Sequence, residues 1–73
     1  MNYPVIDVPA TGRNIGNIIH SSGSSVADVA NYLGATTSLV YRYMRGDVLP
    51  STDRLLALSV YLHVSINDLL VCA

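Results

Sequence analysis

Between Ser25 and Gly46 the chain reads SVADVANYLGATTSLVYRYMRG, two short helical periods with only Gly34 and Ala35 between the end of one and the cap of the next. Ser25-x-x-Asp28 is a capping signature, because the hydroxyl and the carboxylate three residues on can each accept from a free backbone N–H. Val26, Val29, Ala30 and Leu33 follow at the spacing of a helix with one apolar side. Gly34 suits the left-handed residue that ends a helix, and Thr36 is a good cap for the next. The second period carries Val40, Tyr43 and Met44 on its inner side and stops at Gly46. Two helices joined by a Gly-containing turn of about three to four residues have helix-turn-helix geometry. The small Ala30, paired with Gly34, is expected to let the second helix cross the first closely. The same stretch also suits an ordinary helical hairpin in a bundle.

The flanking segments add three more helices. From Thr11 the pattern is helical, with Ile15, Ile18 and Ile19 on one face and Ser21-Ser22-Gly23 at the end. Gly12 and Gly16 weaken this helix by roughly 1 kcal/mol each relative to Ala. Pro50-Ser51 breaks the chain again, and Ser51 caps a fourth helix with Leu55, Leu58 and Leu62 at helical spacing. Ser65-x-x-Asp68 repeats the capping signature and opens a short last helix carrying Leu69 and Leu70. Residues 1–10, with Pro4 and Pro9 on either side of a β-prone run, are expected to form an extended arm or a short edge strand rather than a helix.

At 73 residues the chain is one domain, and so small a domain buries only about 60% of its unfolded surface. Hydrophobic residues make up 51% and charged residues 12%, with no Lys and no Glu, so either the core is packed without waste or some apolar surface meets a partner. The formal net charge is -1. The available cations are Arg13, Arg42, Arg45 and Arg54, a thin supply for a surface that grips phosphates. The lone Cys72 forbids an internal disulfide and fits a reducing compartment. No apolar run approaches the ~18 residues of a membrane span and no leader pattern opens the chain, so a cytoplasmic location is expected.

Taken together, Ser25 with Val29-Ala30, Leu33-Gly34, Thr36, Val40, Arg45-Gly46, Pro50-Ser51, Leu55, Leu58, Leu62, Val64-Ser65 and Leu69 resemble the Cro and phage-repressor-type helix-turn-helix family, also called the XRE family. The likeness runs from Asn14 to Val71. It implies an all-α fold, a compact five-helix lambda-repressor-like DNA-binding domain over 11–73 with the short extended N-terminal arm at 1–10. It also implies a sequence-specific regulator of transcription that binds duplex DNA. The third helix, about 37–45, would be the recognition helix in the major groove. Thr37, Ser38, Tyr41 and Arg42 would then face bases, with Arg42 suited to guanine O6 and N7. Ser25, Thr36 and Arg45 would meet phosphates. The chain departs from the family at Val26, where Gln is common, and at Ile19 and Met44, where an Arg–Glu pair is common. Replacing both members of a half-buried ion pair by apolar groups is tolerated, whereas losing one is costly.

Leu56 and Val60 lie one turn apart, off the face set by Leu55, Leu58 and Leu62, and Tyr61 and Val71 extend the same patch. This is expected to be a dimer or partner surface; scattered exposed apolar residues are the plainer alternative. A symmetric dimer would present two recognition helices about 34 Å apart. His20 and His63 have no second ligand at metal spacing, Cys72 has no base beside it, and the aspartates are single. No metal, cofactor, small-molecule substrate or enzymatic activity is expected. The alternative function is a protein–protein modulator, anti-repressor-like, that keeps the fold but binds another regulator; the charge of -1, Val26 and the Leu56/Val60 face motivate it.

Overall fold

The computed structural model describes residues 3–73 and is built from five helices: α1 (Val8–Ser21), α2 (Val26–Leu33), α3 (Thr37–Arg45), α4 (Thr52–Leu62) and α5 (Ile66–Leu69). Each begins on a side-chain cap: Asp7, Ser25, Thr36, Ser51 and Ser65 accept from the N–H three residues on. Both Ser-x-x-Asp signatures close as reciprocal capping boxes. A cap of this kind is worth about 1 kcal/mol, which matters in helices too short to persist alone.

Helix α2 ends at Gly34 and α3 at Gly46, both left-handed. In each, the N–H one residue further on reaches back to a carbonyl, Ala35 to Ala30 at 2.9 Å and Asp47 to Arg42 at 3.0 Å, the paired closure of a Schellman motif. Helix α4 closes the same way on His63, at φ 58°, with Val64 N–H donating to the Ser59 carbonyl.

The core is a cluster of Ile15, Ile19, Val29, Ala30, Val40, Leu55, Leu58, Leu62 and Leu69, with Ile18, Val26, Leu33, Met44, Tyr61, Val64 and Leu70 packed around it. Every helix contributes, and α1 makes its broadest contact with α3.

Two expectations are corrected. Helix α1 starts at Val8, so the extended segment is shorter than residues 1–10; residues 1 and 2 lie outside the described residues. Pro9 sits in the first turn, where its missing N–H costs no helical bond and its fixed φ favours the helix, while Asp7 Oδ1 caps Ala10 N–H at 3.0 Å. What remains extended pairs with the C-terminus: Asp7 N–H donates to the Val71 carbonyl at 2.8 Å, Ala73 N–H donates to the Val5 carbonyl at 2.7 Å, and Ile6 bridges Cys72 in antiparallel sense.

The second correction concerns Gly34. A side chain added there would meet nothing, so this glycine serves backbone conformation and not the approach of α3 to α2; Ala30 is buried in the core. A backbone-tight approach occurs between α1 and the end of α3. A Cβ at Gly12 would collide with the Tyr43 carbonyl and the Gly46 backbone, and one at Gly46 would collide with Pro9.

Candidate nucleic-acid interface

Successive helical residues turn by roughly 100°, which divides α3 into two sides. Val40 and Tyr43 are buried, and Leu39 and Met44 half-buried, on the side facing α1 and α2. Thr37, Ser38, Tyr41, Arg42 and Arg45 are exposed and share the opposite side. The sequence-predicted base contacts and one of the phosphate contacts therefore occupy a single continuous face. No acidic residue lies in the first turn of α3, and both its arginines fall toward its end.

Thr36 and Ser25 are exposed at the starts of α3 and α2, but their hydroxyls are committed locally. Thr36 Oγ1 accepts from Leu39 N–H and Ser25 Oγ from Asp28 N–H, both at 3.1 Å. Anion binding at either end therefore falls to the first backbone N–H groups, Thr37 and Ser38 in α3, which precede the first intrahelical bond. The Asp28 carboxylate, 3.4 Å from Ser25 N–H, places negative charge at the start of α2. The start of α3 is therefore the more hospitable of the two for a phosphate.

Arg42 is exposed at one edge of the face, in the last turn of α3. Arg45 is held: its Nε and Nη2 donate to Asp47 Oδ2 at 3.1 and 3.0 Å, the one ion pair among the described residues.

The family model for the Cro/C1-type HTH DNA-binding domain matches residues 14–73, from the second turn of α1 through α5 and the C-terminal residues. The chain belongs to this family. Three solved structures share the fold of this Cro/C1-type domain. The restriction-modification controller protein C.AhdI from Aeromonas hydrophila is 24% identical, with a TM-score of 0.79 over 86% of this chain and 96% of that one. A transcriptional regulator from Listeria innocua is 28% identical, with a TM-score of 0.76 over 82% of this chain; the chain spans 56% of that protein. The clp gene regulator ClgR from Corynebacterium glutamicum is 18% identical, with a TM-score of 0.77 over 85% of this chain and 80% of that one. No curated protein matches the chain.

In this Cro/C1-type domain Val26 is half-buried against the core, so the position where a polar side chain is common has been given to packing. Ile19 is buried and Met44 joins the same cluster, leaving no orphaned charge between α1 and α3.

The expected partner surface is divided. Leu56 and Val60 stand out from α4, 54% and 59% exposed. Tyr61 turns toward α2, its ring centroid 4.7 Å from that of Tyr32, and its hydroxyl accepts from Ser24 Oγ at 3.3 Å. Val71 is half-buried beside α1. Thr11 Oγ1 accepts from Val71 N–H at 2.9 Å and donates to its carbonyl at 3.3 Å. Asn14 Nδ2 donates to the carbonyls of Asp68 and Leu69 at 2.7 and 3.0 Å.

Sequence reasoning passed over Thr11, Asn14, Tyr32 and Asp47. The first three act on residues more than twenty positions away and carry no local signature. Asp47 did have one: it follows Arg45-Gly46, where a glycine closure returns the next residue to the helix end. Among the described residues no three His, Cys, Asp or Glu side chains gather as a metal set, and no helix is long and apolar enough to cross a membrane.

Proposed function

We propose that the domain is a sequence-specific, duplex-DNA-binding regulator of transcription that lays α3 in the major groove and works as a homodimer. The observation that carries this reading is the outer side of α3, where Thr37, Ser38, Tyr41, Arg42 and Arg45 are exposed together on a helix anchored by its other side. A groove about 12 Å wide admits such a helix, and a polar face with an exposed arginine can read base edges there. Arg42 takes guanine through O6 and N7, Thr37, Ser38 and Tyr41 line the adjoining base edges, and Arg45 with the first N–H groups of α3 meets phosphates. Leu56 and Val60 supply the dimer contact, without Tyr61 and Val71, which are engaged within the domain. Pairing two half-sites offsets the small number of cations in each copy.

The test is fluorescence anisotropy with a duplex selected by the protein from a random pool. Losing a bidentate arginine–guanine contact costs about 1–3 kcal/mol, so Arg42→Ala should weaken the selected duplex by about five- to 150-fold. An unchanged affinity would remove Arg42 from the readout. Sedimentation of Leu56→Asp should show monomer where the parent shows dimer.

The exposed Leu56 and Val60, with a net charge of -1, favour a second reading: a modulator that binds another regulatory protein through α4. A stoichiometric hetero-complex, with no duplex bound even at low salt, would select it.

A further inference from the structure

Asp47 stands two residues beyond Arg45, the last residue of α3, and its position is not left to chance. Its N–H is bonded to the Arg42 carbonyl at 3.0 Å. Gly46, left-handed at φ 76°, is wedged against Pro9, so the turn carrying the carboxylate is fixed to the end of α3. Both the Nε and Nη2 hydrogens of Arg45 are directed at one oxygen of that carboxylate. That Nε–Nη2 edge is one with which a guanidinium can grip a phosphate through two parallel bonds. A DNA phosphate meeting Arg45 must therefore displace Asp47 or accept the remaining Nη1 side.

We infer that Asp47 is an intramolecular competitor of the DNA phosphates, holding Arg45 and keeping the domain's sequence-independent affinity low. This rests on the reading of α3 as the helix that faces DNA. Sequence-independent binding is almost wholly electrostatic, and α3 offers two cations to it, Arg42 and Arg45. Neutralising one of two is a large fraction of the available attraction. The carboxylate also repels the same phosphates directly. The pair is open to water, with side chains 63% and 48% exposed, so the contact is weak enough to exchange when a phosphate is brought to it. Asp47 is a positioning residue: it acts on DNA through Arg45.

The test uses a fluorescein-labelled duplex of random sequence, titrated by anisotropy at several salt concentrations with the parent, Asp47→Asn, Arg45→Ala and the double variant. Asparagine keeps the backbone N–H and removes the charge. Asp47→Asn should tighten random-duplex binding about three- to tenfold at low salt, from the release of one exposed ion pair and one repulsion. It should also steepen the salt dependence by about 0.9 of a unit in the logarithmic slope, the value of one added phosphate contact. In the Arg45→Ala background the same substitution should change neither quantity by more than about a third as much. Equal affinity and slope for parent and Asp47→Asn overturn the inference; if Arg42→Ala still weakens the selected duplex, the groove reading survives it. An undiminished effect of Asp47→Asn without Arg45 also overturns it, because the carboxylate would then act by repulsion alone. No duplex binding by either parent or Asp47→Asn sinks both.

Discussion

The second and third turns of α1 meet α3 on different terms. Gly12, in the second, touches backbone: the Tyr43 carbonyl and the Gly46 amide occupy the space a Cβ would need. Gly16, one turn on, faces the flexible end of Met44, whose carbons lie 3.5–3.6 Å from where a Cβ would sit, an ordinary contact distance. By helix propensity alone the two glycines are equivalent, each unfavourable by roughly 1 kcal/mol. Their surroundings give them opposite value. One lets two backbones touch and so sets how α3 stands on the domain; the other leaves room that a methyl group would fill.

The comparison can be broken most decisively at Gly12. Gly12→Ala should destabilise the domain by about 3 kcal/mol or more, since neither backbone group can yield without moving α3. In thermal unfolding followed by circular dichroism this is a fall in Tm of roughly 12–24 °C. A fall of only a degree or two would show that α1 and α3 do not meet as described. Next comes the adjacent residue. Thr11 is fully buried and its hydroxyl serves both backbone groups of Val71. Thr11→Val keeps the shape and leaves the Val71 N–H unpaired, at a cost of about 2 kcal/mol by denaturant titration; an unaltered midpoint would remove the hydroxyl from the account.

A smaller loss is expected at Gly34, where only the backbone objects. Gly34→Ala puts a Cβ on a left-handed residue in open space, which costs about 1 kcal/mol and leaves the approach of α1 to α3 untouched. The smallest effect reverses sign. Gly16→Ala should raise stability by about 0.5–1 kcal/mol, because it gains helix propensity and contacts a yielding methionine. A loss there comparable with that at Gly12 would show the whole α1–α3 seam to be backbone-tight.

Much of the fold was legible because its signals are local. Ser25-x-x-Asp28 and Ser65-x-x-Asp68 became capping boxes, and Gly34 and Gly46 became left-handed closures, since those roles depend on residues within one turn. The exposed side of α3 follows from the spacing of Val40 and Tyr43. Pro9 misled because two prolines flanking a β-prone run suit a strand, yet a proline in the first helical turn is equally comfortable once Asp7 caps it. On the apolar side of α4, periodicity placed Leu56 and Val60 outside the core. It could not show that Tyr61 bends onto Tyr32 or that Val71 is claimed by Thr11.

The amino-acid order by itself determined where α2, α3, α4 and α5 start and which side of each helix is apolar, because caps, closures and helical period act over a few bonds. How near α1 comes to α3, and how Thr11 and Asn14 fasten the start of the chain to its end across more than fifty residues, was decided only in three dimensions. Such contacts are chosen by which surfaces fit once every helix is in place, and nothing in the neighbouring residues announces them.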